Sequence, residues 1–577
     1  MNHSSAERKW LAALPTVFCA GLAAIAIGYI LYMFRRGFDI TDEAFYVFSA
    51  RDPELVFFSI STFGYFLKPL FNLVNEQIAH FRQIGVLVLC VAAIAAWLPW
   101  RGQFDGQPSS VYRIEHYSTA VVIAAMPLFY YAHGIPTPSY NWLALLSGLL
   151  LVGAFGFATR PGKANAIAGA VYSGSSGVAA LSAKPTSAAF YAVLYLIALM
   201  VGSRSRSEFA YRFLWSAAAT VVLLLLGFVL LVPYERAIEL HRAYYDILVR
   251  PGHVRDELKI LVGIPRFVVS GDALPLLLAV ATFGVALIYR MRPLLRSLRW
   301  LVWGGVALSI GAVVLMPWYE PWKHRFGIVM LSFAALALAA VLASCRIDPR
   351  AAAVLGLVLL IPAGATAGSA NYFAAQFAFF AGIPAIVVVE AMRRLRPNGV
   401  VLPSVASAVL LTFLASAIYI GVNAPYRVAT PLAAQELPLE IGSRHGVLLV
   451  DAGTKDLFDG MRAQAVAAGF KVGSPIFDLT SRLPGVVLVL GGYPPAAPWL
   501  FSGTNPQSES ILEFVVQNTP AHVRRDAWIV WGEVYRAFPR DVMEKLGFRL
   551  DVDYRCVVRQ THKALGGTIC IYAPQHP

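Results

Sequence analysis

Long apolar runs recur along most of this chain, and they constrain it more than any other feature of the sequence. A helix needs about 20 apolar residues to cross the hydrocarbon core of a bilayer. Runs of that kind begin near Trp10, Gln83, Tyr117, Tyr140, Ala164, Pro185, Phe213, Ala273, Trp300, Phe326, Ala351, Tyr372 and Gly399. They predict a polytopic α-helical membrane protein with about thirteen crossings. The run from Ala164 is the least apolar and is rich in Gly, Ser and Ala, which suit close helix packing inside a bundle. The first run follows Arg8-Lys9. It is too long for the apolar region of a signal peptide, lacks a small-residue cleavage site, and is read as the first membrane helix.

Of the 577 residues only 14% are charged, against about 25% in soluble proteins. The deficit falls between residues 10 and 422. Composition therefore predicts two domains: a membrane part over 1–424, with outer loops 35–82 and 234–271, and a soluble part over 425–577. The net charge of +14 does not point to nucleic acid, because the basic residues sit in short clusters between apolar runs. One set of alternate connections carries Arg8-Lys9, Arg101 with Arg113, Arg160 with Lys163, and Arg204, Arg206 and Arg212. The set continues with Arg290 to Arg299, Arg346 with Arg350, and Arg393, Arg394 and Arg396. Positive charge marks the cytoplasmic side, so the N-terminus is expected inside and the C-terminus outside. The alternation holds only if the weak run from Ala164 is counted as a crossing.

The tail reads as a small α/β domain. Strands are expected at 446–450, 485–490, 528–531, 554–558 and 568–572, and helices at 455–468, 509–517 and 540–546. No nucleotide-binding glycine motif is present. Of the five cysteines, Cys556 and Cys570 lie in this tail and could pair in an oxidising compartment. No metal-type cysteine spacing occurs.

The first outer loop holds the adjacent acids Asp42 and Glu43 just beyond a membrane helix, where acids are functional candidates unless solvated or paired. In the alternative reading Asp42 and Glu43 merely open a helix, favoured by its dipole and capped by Thr41. The loop then runs through an apolar, punctuated stretch that suits helices lying on the membrane surface.

Three motifs share the outer face: Asp42-Glu43-Ala44-Phe45-Tyr46, Lys68-Pro69-Leu70, and Ser182-Ala183-Lys184-Pro185-Thr186. They resemble the D-E-A-x-Y, K-P-P-L and T-K-G-P-type segments of the GT-C glycosyltransferases. The relevant branch contains the protein O-mannosyltransferases and the lipid A aminoarabinose transferases. The resemblance covers about residues 1–425 and rests on motif order, spacing and placement. It implies an inverting transfer of a sugar from a polyprenyl-phosphate donor to a glycan, lipid or protein hydroxyl at the outer membrane face. It implies catalytic roles for the pair Asp42 and Glu43, with Asp42 as the base, and phosphate-binding roles for Lys68 and Lys184. Members with a glutamate before the first-loop lysine use it to help hold a divalent metal; here that residue is Leu67. A Pro-Asp pair common in the family at the outer end of the fourth helix is Tyr140-Asn141 here.

The other basic candidates for the donor phosphate are Arg242, in the second large outer loop, and His324 and Arg325, at the outer mouth of a helix. His324 and Arg325 lie in a basic cluster that opposes the orientation rule, as Arg35-Arg36 also does. Such residues equally suit an interfacial helix with an aromatic belt, or lysines that snorkel to the interface. A transporter or flippase, a polyprenyl-linked polysaccharide polymerase or ligase, and a structural protein remain as other classes. A transporter would favour charged residues deep inside spans and repeated halves, whereas few charges lie within these spans and no internal repeat is evident.

Overall fold

The computed structural model describes residues 5–56, 61–101, 110–246, 273–291, 299–314, 325–344, 348–366, 377–395, 401–442, 445–495, 497–500, 508–534 and 537–575. Among the described residues nine helices are long and apolar enough to cross a membrane, and the chain is accordingly a polytopic helical membrane protein. In chain order the elements that matter here begin with α1 (Ser5–Met33), α2 (Asp42–Arg51), α3 (Phe63–Leu73), α4 (Ile78–Arg101) and α5 (Ser110–Ala125). They continue with α6 (Tyr140–Ala158), α7 (Lys163–Ala183), α8 (Pro185–Gly202), α9 (Arg206–Leu230) and α10 (Tyr234–Tyr244). Later apolar helices include Leu274–Met291, Arg299–Val314, Phe326–Ser344 and Val401–Asn423.

Three of the expected runs are interrupted, the one near Ala351 only by a 3-10 turn at Val358–Leu360. The one from Tyr117 leaves α-helix at Ala125 and continues as a 3-10 helix over Met126–Ala132. Pro127 lies at its start and cannot donate the backbone hydrogen bond an α-helix needs there. The run expected from Tyr372 is helical over Gly382–Arg394, and residues 367–376 lie outside the described part. The Gly/Ser/Ala-rich run forms α7 as one continuous helix. A Cβ on its Gly174 would sit 3.0 Å from Leu223 and 3.1 Å from the backbone of Thr220 in α9. Small residues on α7 therefore set how closely α9 approaches.

The tail contains a two-stranded antiparallel sheet, β1 (Leu437–Glu440) with β2 (Val447–Val450). It also contains a four-stranded sheet in the order β3-β4-β6-β5. There β3 (Ile476–Asp478) runs parallel to β4 (Trp528–Gly532), while β6 (Gly567–Pro574) is antiparallel to both β4 and β5 (Tyr554–His562). Cys556 and Cys570 form a disulfide between β5 and β6. The expected strand at 485–490 is instead the helix Pro484–Leu490, with all seven residues buried. A short apolar run reads alike for strand and buried helix. Here Pro484 in the first turn and Gly491 in the left-handed C-cap select the helix.

The tail is docked on the first outer loop. The Gly37 amide donates to the Leu449 carbonyl at 2.8 Å, and the Leu449 amide to the Arg35 carbonyl at 2.9 Å. The Gly485 amide donates to the Ile40 carbonyl at 2.8 Å. A Cβ on Gly485 would lie 2.5 Å from Ile40 Cα, so only glycine permits this approach. Gly485→Val is expected to raise hydrogen exchange at the Leu449 amide and over residues 35–41 by about tenfold or more, with β4–β6 unchanged. Unchanged exchange at Leu449 would show that this contact does not hold the tail in place.

Candidate active site

The sequence Asp39-Ile40-Thr41 makes a tight turn ahead of α2. Both the amide and the hydroxyl of Thr41 donate to Asp39 Oδ1, at 2.9 and 2.6 Å, and the Glu43 amide approaches Asp39 Oδ2 at 3.4 Å. Helix α2 does begin at Asp42, but Thr41 makes no side-chain cap. Its hydroxyl is spent on Asp39, which takes over the capping role. The same arrangement recurs in the tail, where Asp478 accepts from Thr480 and from the Leu483 amide at 2.7 Å ahead of the Pro484–Leu490 helix. These two turns lie at the ends of the two helices that meet at Ile40 and Gly485. Burial, and then the Asp42 charge, hold the Asp39 carboxyl above the ordinary carboxylate range, while hydrogen bonds from Thr41 pull the other way.

Glu43, expected to act with Asp42, serves a different purpose. It is 1% exposed, and both its oxygens are occupied by Arg82, at 2.8 Å from Nε and 2.7 Å from Nη2. Thr137 also donates to it. Arg82 in turn donates to the carbonyls of Phe34, Arg36 and Gly37. Glu43 thus clamps the loop between α1 and α2 to the head of α4. The sequence reading overlooked Arg82. Its signal was a single arginine opening an apolar run on the outer side, against the orientation rule.

Asp42 points elsewhere. Its Oδ1 accepts from Arg427 Nη1 at 2.7 Å, and its side chain is 14% exposed. Beside it stands an aromatic cluster. Tyr46 and Tyr140 have ring centroids 5.9 Å apart, and Phe63 lies 5.8 Å from Tyr46 and 6.0 Å from Tyr140. Tyr46 lies one turn along α2 from Asp42 and so brings this cluster to the acid.

Lys184 reaches the same ring. Its Nζ lies 5.3 Å from the Tyr140 centroid and donates to the Ala365 carbonyl at 3.1 Å. The α7–α8 turn that carries it is tied to the start of α3. The Thr62 amide and the Ser61 hydroxyl both donate to the Ser182 carbonyl. Burial pushes the Lys184 ammonium down to about 7, so an anion arriving beside it would favour the charged form.

Comparison with protein-family models, curated proteins and solved structures returns no match. The site therefore has to be read from its own geometry.

Lys68 is placed apart from the Asp42–Tyr140–Lys184 group. Lys68 turns to Glu54 at 3.4 Å on a half-exposed surface. Arg236 of α10 donates to the Glu54 carbonyl at 2.6 Å, so the two large outer loops meet there. Arg242 lies exposed on the same α10. Lys68 is thus tied to the Glu54 surface rather than to Asp42. Arg325 is buried at the start of the Phe326–Ser344 helix, and His324 lies outside the described residues. Among the described residues no group of three His, Cys, Asp or Glu side chains could hold a metal ion.

Two cavities flank the site. One of about 30 Å³, lined by Asp39, Glu43, Arg82, His133 and Tyr426 among others, has room for about one water. The other, about 330 Å³, lies between α6, α7, α8 and α9, with Ala188, Tyr191, Tyr195, Ser216 and Thr220 in its wall. Ala188 and Tyr191 are one and two turns of α8 along from Lys184, about 6 and 10 Å by helical rise.

Proposed function

We propose that this chain is an inverting glycosyltransferase that moves a sugar from a polyprenyl-phosphate donor to an acceptor hydroxyl at the outer face of the membrane. The reading includes thirteen crossings, an inner N-terminus and an outer tail. The observation that carries it is the arrangement around Tyr140, where Tyr46, one turn along α2 from Asp42, packs at 5.9 Å and Lys184 Nζ lies at 5.3 Å. Tyr46 and Lys184 come from two widely separated motifs and meet beneath the tail.

The chemistry follows from what each group can do. The acceptor oxygen bonds to the anomeric carbon as the bond from that carbon to the phosphate oxygen breaks. The bonding pair leaves with the phosphate, and the acceptor proton passes to Asp42. Lys184 neutralises charge growing on the departing lipid phosphate. Tyr46, Phe63 and Tyr140 supply the aromatic wall typical of small-molecule sites. The cavity below Lys184 is of a size to take part of a lipid chain. Glu43 positions the loop and does not enter the reaction. A tail disulfide suits an oxidising compartment, in keeping with the outer placement.

The test uses purified protein in nanodiscs with a labelled polyprenyl-phosphate sugar and a membrane extract as acceptor. Release of labelled-sugar product together with polyprenyl monophosphate is expected. An unchanged donor, alongside vectorial uptake of substrate into proteoliposomes, would favour a transporter and overturn the proposal.

A further inference from the structure

The segment leaving the last membrane helix, Val401–Asn423, crosses the mouth of the site before it reaches β1. Arg427 lies in it with a φ of 53°, a left-handed conformation that non-glycine residues adopt when their surroundings impose it. One nitrogen of its guanidinium, Nη1, makes both site contacts, to Thr41 Oγ1 and to Asp42 Oδ1, each at 2.7 Å. Nε and Nη2 donate to no described residue, and the side chain is 39% exposed. The guanidinium lies 4.8 Å from the Tyr426 ring. Pro425, Tyr426, Val428 and Leu432 of this same segment wall the 30 Å³ cavity beside Asp39 and Glu43. The groups facing Asp42 are thus Asp39 and Thr41 ahead of it, Tyr46 on its own helix, Tyr140 across from it, and Tyr426 and Arg427 on the segment above.

We propose that Arg427 binds the donor phosphate, and that its pair with Asp42 is a resting lock that an incoming phosphate opens. This rests on the reading of Asp42 as the base for a lipid-phosphate-linked sugar. In the resting arrangement the base is held by a cation. A phosphate offers several acceptor oxygens and a charge at least equal to that of the carboxylate. The unused Nε–Nη2 edge is the planar fork that takes such an anion in two parallel bonds. As the guanidinium turns to the phosphate, Asp42 Oδ1 is released and the carboxylate, without its cation, accepts the acceptor proton more readily. The segment walling the cavity moves with it, so donor arrival and base release are one event. No covalent bond changes in this step; one ion pair is exchanged for another.

The test compares full-length wild type, Arg427→Gln and Arg427→Lys in nanodiscs, with two probes: a polyprenyl monophosphate and the matching uncharged polyprenol. Arg427→Gln is expected to weaken monophosphate binding by about tenfold or more, and Arg427→Lys by roughly threefold, since lysine keeps the charge without the fork. Polyprenol binding should be equal in all three. In turnover, Arg427→Gln should raise the donor KM. It should also move the acid limb of the pH–rate profile to higher pH, because a carboxylate without its cation is protonated more readily. Arg427→Lys should restore that limb. Wild-type monophosphate binding in Arg427→Gln would overturn the phosphate assignment, and equal loss of polyprenol binding would reduce Arg427 to a structural tether. An unmoved acid limb would overturn the lock. If Asp42→Asn turns over at the wild-type rate while Arg427→Gln still loses monophosphate, the base assignment fails and the phosphate site stands.

Discussion

Replacing Arg82 by alanine is expected to destabilise the protein by about 3–5 kcal/mol, the loss seen when one partner of a buried ion pair is removed. Arg82 and Glu43 are each 1% exposed, so water cannot replace the missing guanidinium. The carbonyls of Phe34, Arg36 and Gly37 would lose this donor, and the Glu43 charge would be left with only the Thr137 hydroxyl and the Asp39 amide. The damage should be local at first. The first outer loop would loosen from α4, and the tail, which hangs on that loop through Arg35, Gly37 and Ile40, would follow. Thermal unfolding in detergent, read by tryptophan fluorescence, measures the effect. The pair Arg82→Met with Glu43→Leu should recover part of the loss, since no buried charge remains, but not all of it, since the carbonyls stay unpaired. A single variant as stable as wild type would mean that the loop is held by other contacts.

Asp42→Asn is expected to act on rate and not on stability. Loss of a general base lowers turnover by about 10²–10⁴-fold. Asparagine keeps the shape of the side chain and one oxygen to accept from Arg427, so the melting temperature should stay near that of wild type. Glu43→Gln makes the contrast: it weakens the buried clamp, so its main effect should be on stability. If Asp42→Asn kept full turnover while Glu43→Gln lost it without unfolding, the roles assigned to the two acids would have to be exchanged.

The membrane helices were legible because their signal is length and apolarity, which tertiary context cannot change. Even the weak α7 run was recovered, through the alternation of charge around it. Asp42 and Lys184 come from short motifs, and Tyr140, which the sequence marks as the start of an apolar run and a departure from the family pattern, lies beside Lys184 and Tyr46. Other parts were hidden for physical reasons. The run 485–490 carries no periodicity, because the helix it forms is buried on every side. Glu43 could not be separated from Asp42 by sequence, since the distinction depends on which carboxylate faces Arg82. Lys68 has the right motif, but Glu54 draws its ammonium to another surface. Arg427 is a lone arginine in a linker, and its contact with Asp42 spans nearly the whole membrane domain in sequence.

The account stands on chemistry at one face of the membrane, beside Asp42 and under the tail. Its most direct test uses proteoliposomes sorted by protease access to the tail, with labelled polyprenyl-phosphate sugar placed in one leaflet at a time. Donor turnover is expected only from the leaflet on the tail's side, and is expected to be lost in Asp42→Asn. Turnover from the opposite leaflet, or undiminished turnover in the variant, would contradict it.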